Sequence, residues 1–495
     1  MSTDRSAPAA TAGYDDRRRW RALGVGLVAA FMTLLDVSIV NVAVPSIDRA
    51  LNATPSDLQW VLSGYALTFG LILVPAGRFG DARGRRIGFV TGLVLFTLTS
   101  AVAGLAAAPL WLIGARLVQG AAAGVVNPQV TGMIQQLFRG AERGRAFGLL
   151  GATIGISTAV GPLLGGLLIQ AGGEQHGWRL VFFVNVPVGI IAVLLGWRLM
   201  PARPTGVPDR HRLDPIGVLL LGVGVTLVLL PLVQRQQWPG VAKWLLILAG
   251  LVFLIAFGLW ERRYARRRPP LFDLRLFELR SYTLGTLIGL LYFAGFTAIF
   301  FIFTLYLQIG LGYSALTAGL AITPFALGSA VAAAVGGRVV NRYGRPLVGV
   351  GLLVVVIGLG ATVWVLRDSP HVSVPLLTAA PLLVAGLGSG LVIAPNQTLT
   401  LSEVPVPQAG SGAGMLQTGQ RIGSAAGIAA VGALFFSTLA GTRGDWAAAF
   451  RQSLLLAAAI IALALIAALV DIVMGHRRSG SASPAESPPG SPELH

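Results

Sequence analysis

The stretch GRFGDARGRR at residues 77–86 follows a long apolar run, and it recurs as GRVVNRYGRP at residues 337–346 after another such run. The shared Gly and Arg positions indicate that the chain is duplicated. A plain duplication of six helices would place these stretches six helices apart, whereas eight apolar runs separate them. The sequence therefore predicts two repeated halves with an extra pair of helices inserted between them.

The composition is that of a protein that crosses a membrane many times. Of the 495 residues, 54% are hydrophobic and 12% are charged, whereas soluble domains carry about 25% charged residues. Each membrane-spanning helix needs about 20 apolar residues, so fourteen helices leave no room for a large soluble domain. The net charge of +17 comes from arginines in short clusters between apolar runs. Such clusters indicate membrane orientation, and we expect no nucleic-acid partner.

The apolar runs predict an all-α membrane protein with two six-helix halves and two inserted central helices. The predicted helices lie at residues 20–45, 57–78, 87–107, 110–134, 145–169 and 178–199, then 214–233 and 242–261, then 281–308, 314–337, 345–367, 373–396, 410–438 and 450–474. The corresponding units are an N-terminal segment, the first half, the linker with the extra helices, the second half and a tail, at residues 1–19, 20–199, 200–280, 281–475 and 476–495. The tail is rich in Ser, Pro and Gly, and it is predicted to be disordered. Repeated halves packed face to face are a transporter architecture.

The basic residues predict the orientation in the membrane. Alternating helices from a cytoplasmic N-terminus place most of these residues in cytoplasmic loops, as the positive-inside rule requires. Both termini are therefore predicted to be cytoplasmic, and the first apolar run is too long for a cleaved signal peptide. With 36 arginines and one lysine, the chain indicates a GC-rich bacterial genome and hence a bacterial plasma membrane.

Several kinds of chemistry have no residues to support them. The chain contains no Cys, and its five His residues lie far apart in loops or tails, so no metal site is predicted. Lys243 is the only lysine and is followed by Trp244, so a phosphate-binding P-loop cannot be written. We expect no cofactor and no enzymatic activity, and energy from an ion gradient or a partner subunit.

Asp36 differs from the other acidic residues because it lies near the middle of the first predicted helix. A carboxylate at that depth costs several kcal/mol unless it is paired, wetted or protonated. Asp36 is therefore predicted to couple transport to protons, with Arg116 on the fourth helix as its partner. The alternative is a static pair that only holds two helices together. For Arg421 and Asp471, the sequence leaves both a functional role and an interface position open.

A glycine motif closes the fifth predicted helix, at Gly161, Pro162, Gly165 and Gly166. Glycines four residues apart permit close packing of membrane helices. Proline removes a backbone donor and kinks the helix. This helix is therefore predicted to bend where it meets its neighbour.

Taken together, these residues resemble the major facilitator superfamily and, within it, the multidrug drug:proton antiporters with 14 helices. The resemblance covers about residues 17–475. It departs from the signature loop at Phe79 and Ala82. The stretches similar to family motifs are residues 35–45, 77–86, 116–120, 161–166 and 178–189.

The resemblance implies a major facilitator fold and proton-coupled export by alternating access. It implies that Arg116 takes part in proton transfer and that Asp81 forms a charge latch on the cytoplasmic side of the outward-facing state. The gating loop would consist of Gly77, Arg78, Asp81, Gly84, Arg85 and Arg86. The repeat has Asn341 in place of Asp81, so the second latch lacks its carboxylate.

Candidate substrate contacts are the polar or aromatic residues on helices that line the cavity in the family. They are Asn41, Tyr65, Gln129, Tyr292, Phe296, Asn396 and Gln417. One central acid in apolar surroundings predicts a bulky amphipathic substrate, neutral or singly cationic, such as a drug or secondary metabolite. The alternatives are an exporter of one endogenous metabolite, an importer, or a receptor or scaffold that does not transport. The chain is expected to function as a monomer in the lipid bilayer.

Overall fold

The computed structural model describes residues 16–201, 214–233, 240, 242–266, 270–367 and 374–480. Within these residues, fourteen helices are long and apolar enough to cross a membrane, and no β-strand forms. The first half contains α1 Asp16–Leu51, α2 Pro55–Arg83, α3 Arg85–Gly104, α4 Pro109–Leu137, α5 Gly140–Phe183 and α6 Asn185–Leu199. The inserted pair is α7 Pro215–Val233 and α8 Leu245–Tyr264. The second half contains α9 Arg280–Thr304, α10 Ala315–Tyr343, α11 Arg345–Val365, α12 Val374–Thr400, α13 Ala409–Gly441 and α14 Trp446–Gly480. The all-α fold predicted from the sequence is confirmed.

Some helix ends differ from the sequence prediction. Helix α1 begins at Asp16 rather than at residue 20, and Asp16 pairs one turn later with Arg19 at 2.7 Å. Helix α5 is continuous to Phe183 except at Gly173, whose φ of 74° interrupts it between two membrane spans. Helix α14 extends to Gly480, so residues 476–480 of the predicted tail are helical. Residues 481–495, like residues 1–15 of the predicted N-terminal segment, lie outside the described residues.

Both ends of the chain's helical part lie at one face of the bundle. Fourteen spans return the chain to its starting side, so α1 begins and α14 ends on the same face, which we call the termini face. Side chains at the start of α1 support this placement. Arg19 contacts Glu142 at the start of α5 at 2.8 Å, and Arg18 donates to the carbonyl oxygen of Arg198 at the end of α6 at 3.1 Å.

The inserted helices pack on the side of the molecule where α2 and α13 meet. Helix α7 contacts both of these helices, and its Leu221 and Leu229 belong to the same apolar cluster as Phe69 of α2. The buried Asp214 accepts a hydrogen bond from the indole N–H of Trp260 at 2.6 Å, which joins the start of α7 to the end of α8. The pair therefore covers a junction between the halves and contributes to its apolar core.

The two halves approach each other through glycines at the termini face. A Cβ atom added to Gly77 of α2 would lie 2.2 Å from the carbonyl oxygen of Gly410 on α13. In the repeat, a Cβ atom on Gly337 of α10 would lie 2.4 Å from the carbonyl oxygen of Gly144 on α5. Gly77 and Gly337 occupy equivalent positions of the duplicated stretch, so the same backbone contact closes both junctions. Only glycine allows helices to approach this closely.

Candidate transport site

A charged centre lies inside the first half, where α1 and α4 meet. Asp36 is 0% exposed and Arg116 is 1% exposed, and the guanidinium of Arg116 donates to one oxygen of the Asp36 carboxylate. The other oxygen accepts hydrogen bonds from the side-chain amides of Gln119 at 3.1 Å and Asn185 at 3.0 Å. The structure thus brings the two predicted proton-coupling residues into contact, and both oxygens of Asp36 have partners.

The hydroxyl of Ser100 connects this centre to two more helices. It accepts from Gln119 at 3.2 Å and from Asn185 at 3.1 Å, and it donates to the carbonyl oxygen of Phe182 at 2.9 Å. Sequence reasoning did not single out Ser100 or Asn185 as site residues. Asn185 lies within residues 178–189, which resemble a family motif, so that resemblance could have identified it. Ser100 carries no comparable signal because its neighbours are ordinary membrane residues.

Arg116 is held on two further sides. Its Nε donates to the carbonyl oxygen of Val61 at 3.0 Å, and its guanidinium lies 4.2 Å from the ring centroid of Tyr65. The hydroxyl of Tyr65 in turn donates to the carbonyl oxygen of Thr33 at 3.0 Å. Cation–π contacts of this kind stabilise a desolvated guanidinium. The centre is therefore a buried carboxylate beside a guanidinium that contacts with α2 hold in place.

The predicted gating loop meets the start of α13 at the termini face. The buried carboxylate of Asp81 accepts from the backbone N–H groups of Gly410 at 3.0 Å and Ser411 at 2.9 Å, and it pairs with Arg85 at 2.9 Å. The free N–H groups and positive dipole end of a helix N-terminus favour an anion. Asp81 therefore links the halves, and sequence reasoning missed its backbone partners because Gly410 and Ser411 carry no motif.

The other loop residues shape and extend this junction. Gly84 has φ of 97° between α2 and α3, a conformation that favours glycine. Arg85 also donates to the carbonyl oxygen of Val406 at 3.3 Å. Arg86 stacks on the ring of Trp197 at 4.8 Å, and Arg78 is buried. Gly77, Asp81 and Arg85 of the predicted loop contact the second half directly.

The second junction between the halves, where α10 meets α5, has different side-chain contacts. Asn341 is exposed, and Arg345, the repeat counterpart of Arg85, pairs instead with Asp471 of α14 at 2.7 Å. Asp471 is 1% exposed and also pairs with Arg280 at 3.0 Å. Asp471 therefore belongs to a buried ion-pair cluster at the termini face.

The predicted antiporter motif lies where α5 passes α1 and α10. A Cβ atom on Gly161 would lie 2.3 Å from the Cβ of Ser38, and one on Gly165 would lie 3.0 Å from Ile39. Pro162 faces α10, where a Cβ atom on Gly319 would meet it at 2.9 Å. Gly166 belongs to the motif, but a Cβ atom there would meet nothing within 4 Å.

The predicted substrate contacts divide into two groups. Four are buried within the halves in this conformation, namely Tyr65, Gln129, Tyr292 and Asn396. Tyr292 donates to the hydroxyl of Ser389 at 2.7 Å, and the amide N–H of Gln129 donates to the carbonyl oxygen of Ala76 at 2.8 Å, whereas the side-chain oxygen of Gln129 is buried without a partner among the described residues. The accessible ones are Asn41, which is exposed, and Phe296 and Gln417, which are half-buried. Gln417 reaches across the halves to donate to the hydroxyl of Thr131 at 3.1 Å.

Fourteen membrane helices in two repeated halves, with a buried charged centre and a closed junction at one face, define a membrane transporter. The model of the Major Facilitator Superfamily matches residues 26–428 and 285–489. The chain belongs to the major facilitator superfamily, and the sequence-based identification is confirmed.

The relatives of the chain include a transporter and a resistance protein. The probable actinorhodin transporter of Streptomyces coelicolor is 36% identical over 426 residues, covering 85% of this chain and 73% of that protein. The puromycin resistance protein pur8 of Streptomyces alboniger is 36% identical over 419 residues, covering 84% and 81%. A crystal structure of the human organic anion transporter MFSD10 has a TM-score of 0.64 at 16% identity, covering 91% of this chain and 99% of that one. At that identity the likeness shows the fold alone.

Proposed function

We propose that this protein is a proton-coupled antiporter that exports bulky amphipathic compounds, either drugs or secondary metabolites, by alternating access. The observation that carries the proposal is the fully buried Asp36–Arg116 pair. An ionised pair inside a membrane bundle is costly to bury, which favours a role in proton exchange over a merely structural one. The names of the relatives, an antibiotic transporter and a resistance protein, support export as the direction.

The closed junction supports alternating access. The positive-inside pattern favours the termini face as the cytoplasmic face of a bacterial plasma membrane. The contacts of Asp81 with the start of α13 would then close the cytoplasmic side and leave the substrate path open to the outside. Protonation of Asp36 would release Arg116 from its counter-charge, and the resulting change in packing between α1, α2 and α4 would favour the opposite state. We propose that one chain is sufficient, with substrate and protons as its small partners.

A second candidate is an exporter of one endogenous metabolite. It is favoured by the names of both relatives, each of which gives a single compound, actinorhodin or puromycin. Drug resistance would then be incidental. A transport profile restricted to one chemical scaffold distinguishes this function from broad export.

The test is dye efflux from proteoliposomes under an imposed pH gradient, comparing the unmodified protein with Asp36→Asn. Asparagine keeps the shape of the side chain but cannot exchange a proton. We expect efflux that depends on the gradient in the unmodified protein and a fall to the level of vesicles without transporter in Asp36→Asn. Asp48→Asn is the matched control, because Asp48 lies on the same helix and is exposed.

Two results would differ from this expectation, and each has its own meaning. Transport by Asp36→Asn with an unchanged dependence on the gradient would show that Asp36 does not couple protons. Equal loss in Asp48→Asn would show that the assay reports damage to α1. The melting temperature of each purified variant separates loss of coupling from loss of fold.

A further inference from the structure

Arg421 lies near the middle of α13, at the junction between the halves. Its guanidinium lies 4.3 Å from the ring centroid of Phe69 on α2, and the residue is half-buried. Two turns nearer the termini face, Gly414 marks the closed junction, since a Cβ atom there would lie 2.6 Å from the carbonyl oxygen of Leu73. Arg421 therefore lies between the halves, two turns beyond the closed contact at Gly414.

No carboxylate neutralises this guanidinium within the described part of the chain. None of the ion pairs between described side chains includes Arg421. The buried acids Asp36, Asp81 and Asp471 are paired with other arginines. An uncompensated cation at this depth is costly unless water or an anion contacts it.

The position of the side chain argues against snorkelling to the membrane surface. A long basic side chain that snorkels extends its head toward the nearest polar interface, whereas this guanidinium packs on an aromatic ring of the facing half. A ring under the flat face of a guanidinium leaves the N–H groups at its edge free to bind. Those N–H groups form a fork that matches a carboxylate.

We propose that Arg421 binds an anionic group of the substrate, so that the exported compounds are amphipathic organic anions, with a carboxylate or similar group beside an apolar body. The proposal rests on the proposed export function. A neutral or cationic substrate was predicted from the sequence because Asp36 was taken as the central charge of the cavity. In the structure, Asp36 is fully buried and both its oxygens have partners, whereas Arg421 is half-buried and has no carboxylate partner among the described residues.

The experiment measures binding of two xanthene dyes of similar size to the purified full-length protein by fluorescence anisotropy. Fluorescein carries a carboxylate, and rhodamine 123 is a cation. We expect tighter binding of fluorescein by the unmodified protein. In Arg421→Gln, fluorescein binding should weaken about tenfold to a hundredfold, the range for loss of a hydrogen-bonded charge, and rhodamine 123 binding should not weaken. The fluorescein affinity of Arg421→Lys should lie between those of the unmodified protein and Arg421→Gln, because lysine keeps the charge but loses the forked N–H groups.

Arg451→Gln is the matched control. It removes the same charge from α14, where Arg451 donates to the carbonyl oxygen of Arg367 at 3.2 Å, and it should leave both affinities unchanged. The proposal is overturned by tighter binding of rhodamine 123, by fluorescein affinity that is unchanged in Arg421→Gln, by equal loss in the control, or by absence of saturable fluorescein binding. If Arg421→Gln does not purify as a folded protein, the fluorescein affinity of Arg421→Lys is compared with that of the unmodified protein. Equal affinities would then overturn the proposal.

Binding and transport separate this inference from the proposed function. Fluorescein binding that depends on Arg421, without transport driven by a pH gradient, would support the anion site and contradict the antiporter. Gradient-driven efflux of rhodamine 123 but not of fluorescein by the unmodified protein would support the antiporter and overturn the anion site.

Discussion

Substitution of Asp81 by Asn tests how the two halves are held together at the termini face. The Asp81 carboxylate accepts two backbone N–H groups of α13 and pairs with Arg85. All three contacts are made while α2 and α13 are in contact, and the two to α13 must break when the halves separate. Asp81→Asn keeps the size of the side chain but removes its charge, so it should shift the equilibrium toward separated halves.

The change in free energy of the closed state is estimated from the hydrogen bonds that lose a charged acceptor in Asp81→Asn. A helix N-cap is worth about 0.5–2 kcal/mol, and a hydrogen bond to a charged group about 1.5–3 kcal/mol. Asparagine can still accept one of these bonds, so we expect a loss of about 1–3 kcal/mol in the closed state. At about 1.4 kcal/mol for each factor of ten, the ratio of closed to open molecules should fall about fivefold to a hundredfold.

The assay uses the absence of cysteine from the sequence. Spin labels at Arg83→Cys and Glu403→Cys place one probe in each half, at exposed positions near the termini face. Distance distributions between the labels then report the fractions of closed and open molecules directly. In Asp81→Asn we expect the long-distance population to grow.

Asn341→Ala provides the control because Asn341 occupies the equivalent position of the repeat and is exposed. It should leave the distribution unchanged. An unchanged closed fraction in Asp81→Asn, or an equal shift in both variants, would refute the reasoning that the charge of Asp81 holds the junction closed.

Two further substitutions test the packing around the charged centre. Gly161→Ala would place a methyl group 2.3 Å from the Cβ of Ser38 and should lower the melting temperature and slow transport, whereas Gly166→Ala, with nothing within 4 Å, should do neither. Similar effects of both substitutions on dye efflux would contradict the close contact. Tyr65→Phe loses the hydrogen bond to the carbonyl of Thr33 and keeps the ring beneath the guanidinium, so stability should fall by only about 0.5–1.5 kcal/mol. A larger loss in denaturant unfolding would show that the hydroxyl, rather than the ring, holds the centre.

Much of the fold follows from the sequence because it depends on local properties. Apolar runs of membrane length predict the helices, and a repeated loop reveals the duplication and the inserted pair. The charged centre was predictable for a related reason. A carboxylate in the middle of an apolar run needs a partner, and Arg116 is one of the few cations at a similar depth, so Asp36 and Arg116 could be paired without coordinates.

The tertiary structure alone decided which distant groups meet. The contacts of Asp81 with Gly410 and Ser411 join residues 329 and 330 positions apart, and they depend on how the halves are rotated against each other. The same holds for the environment of Arg421, whose neighbour Phe69 lies in the other half. Periodicity gives the face of a helix that is apolar, but it does not give the helix that covers that face. The sequence therefore determined the class of molecule and its central pair, whereas packing between the halves decided the closed junction and the surroundings of Arg421.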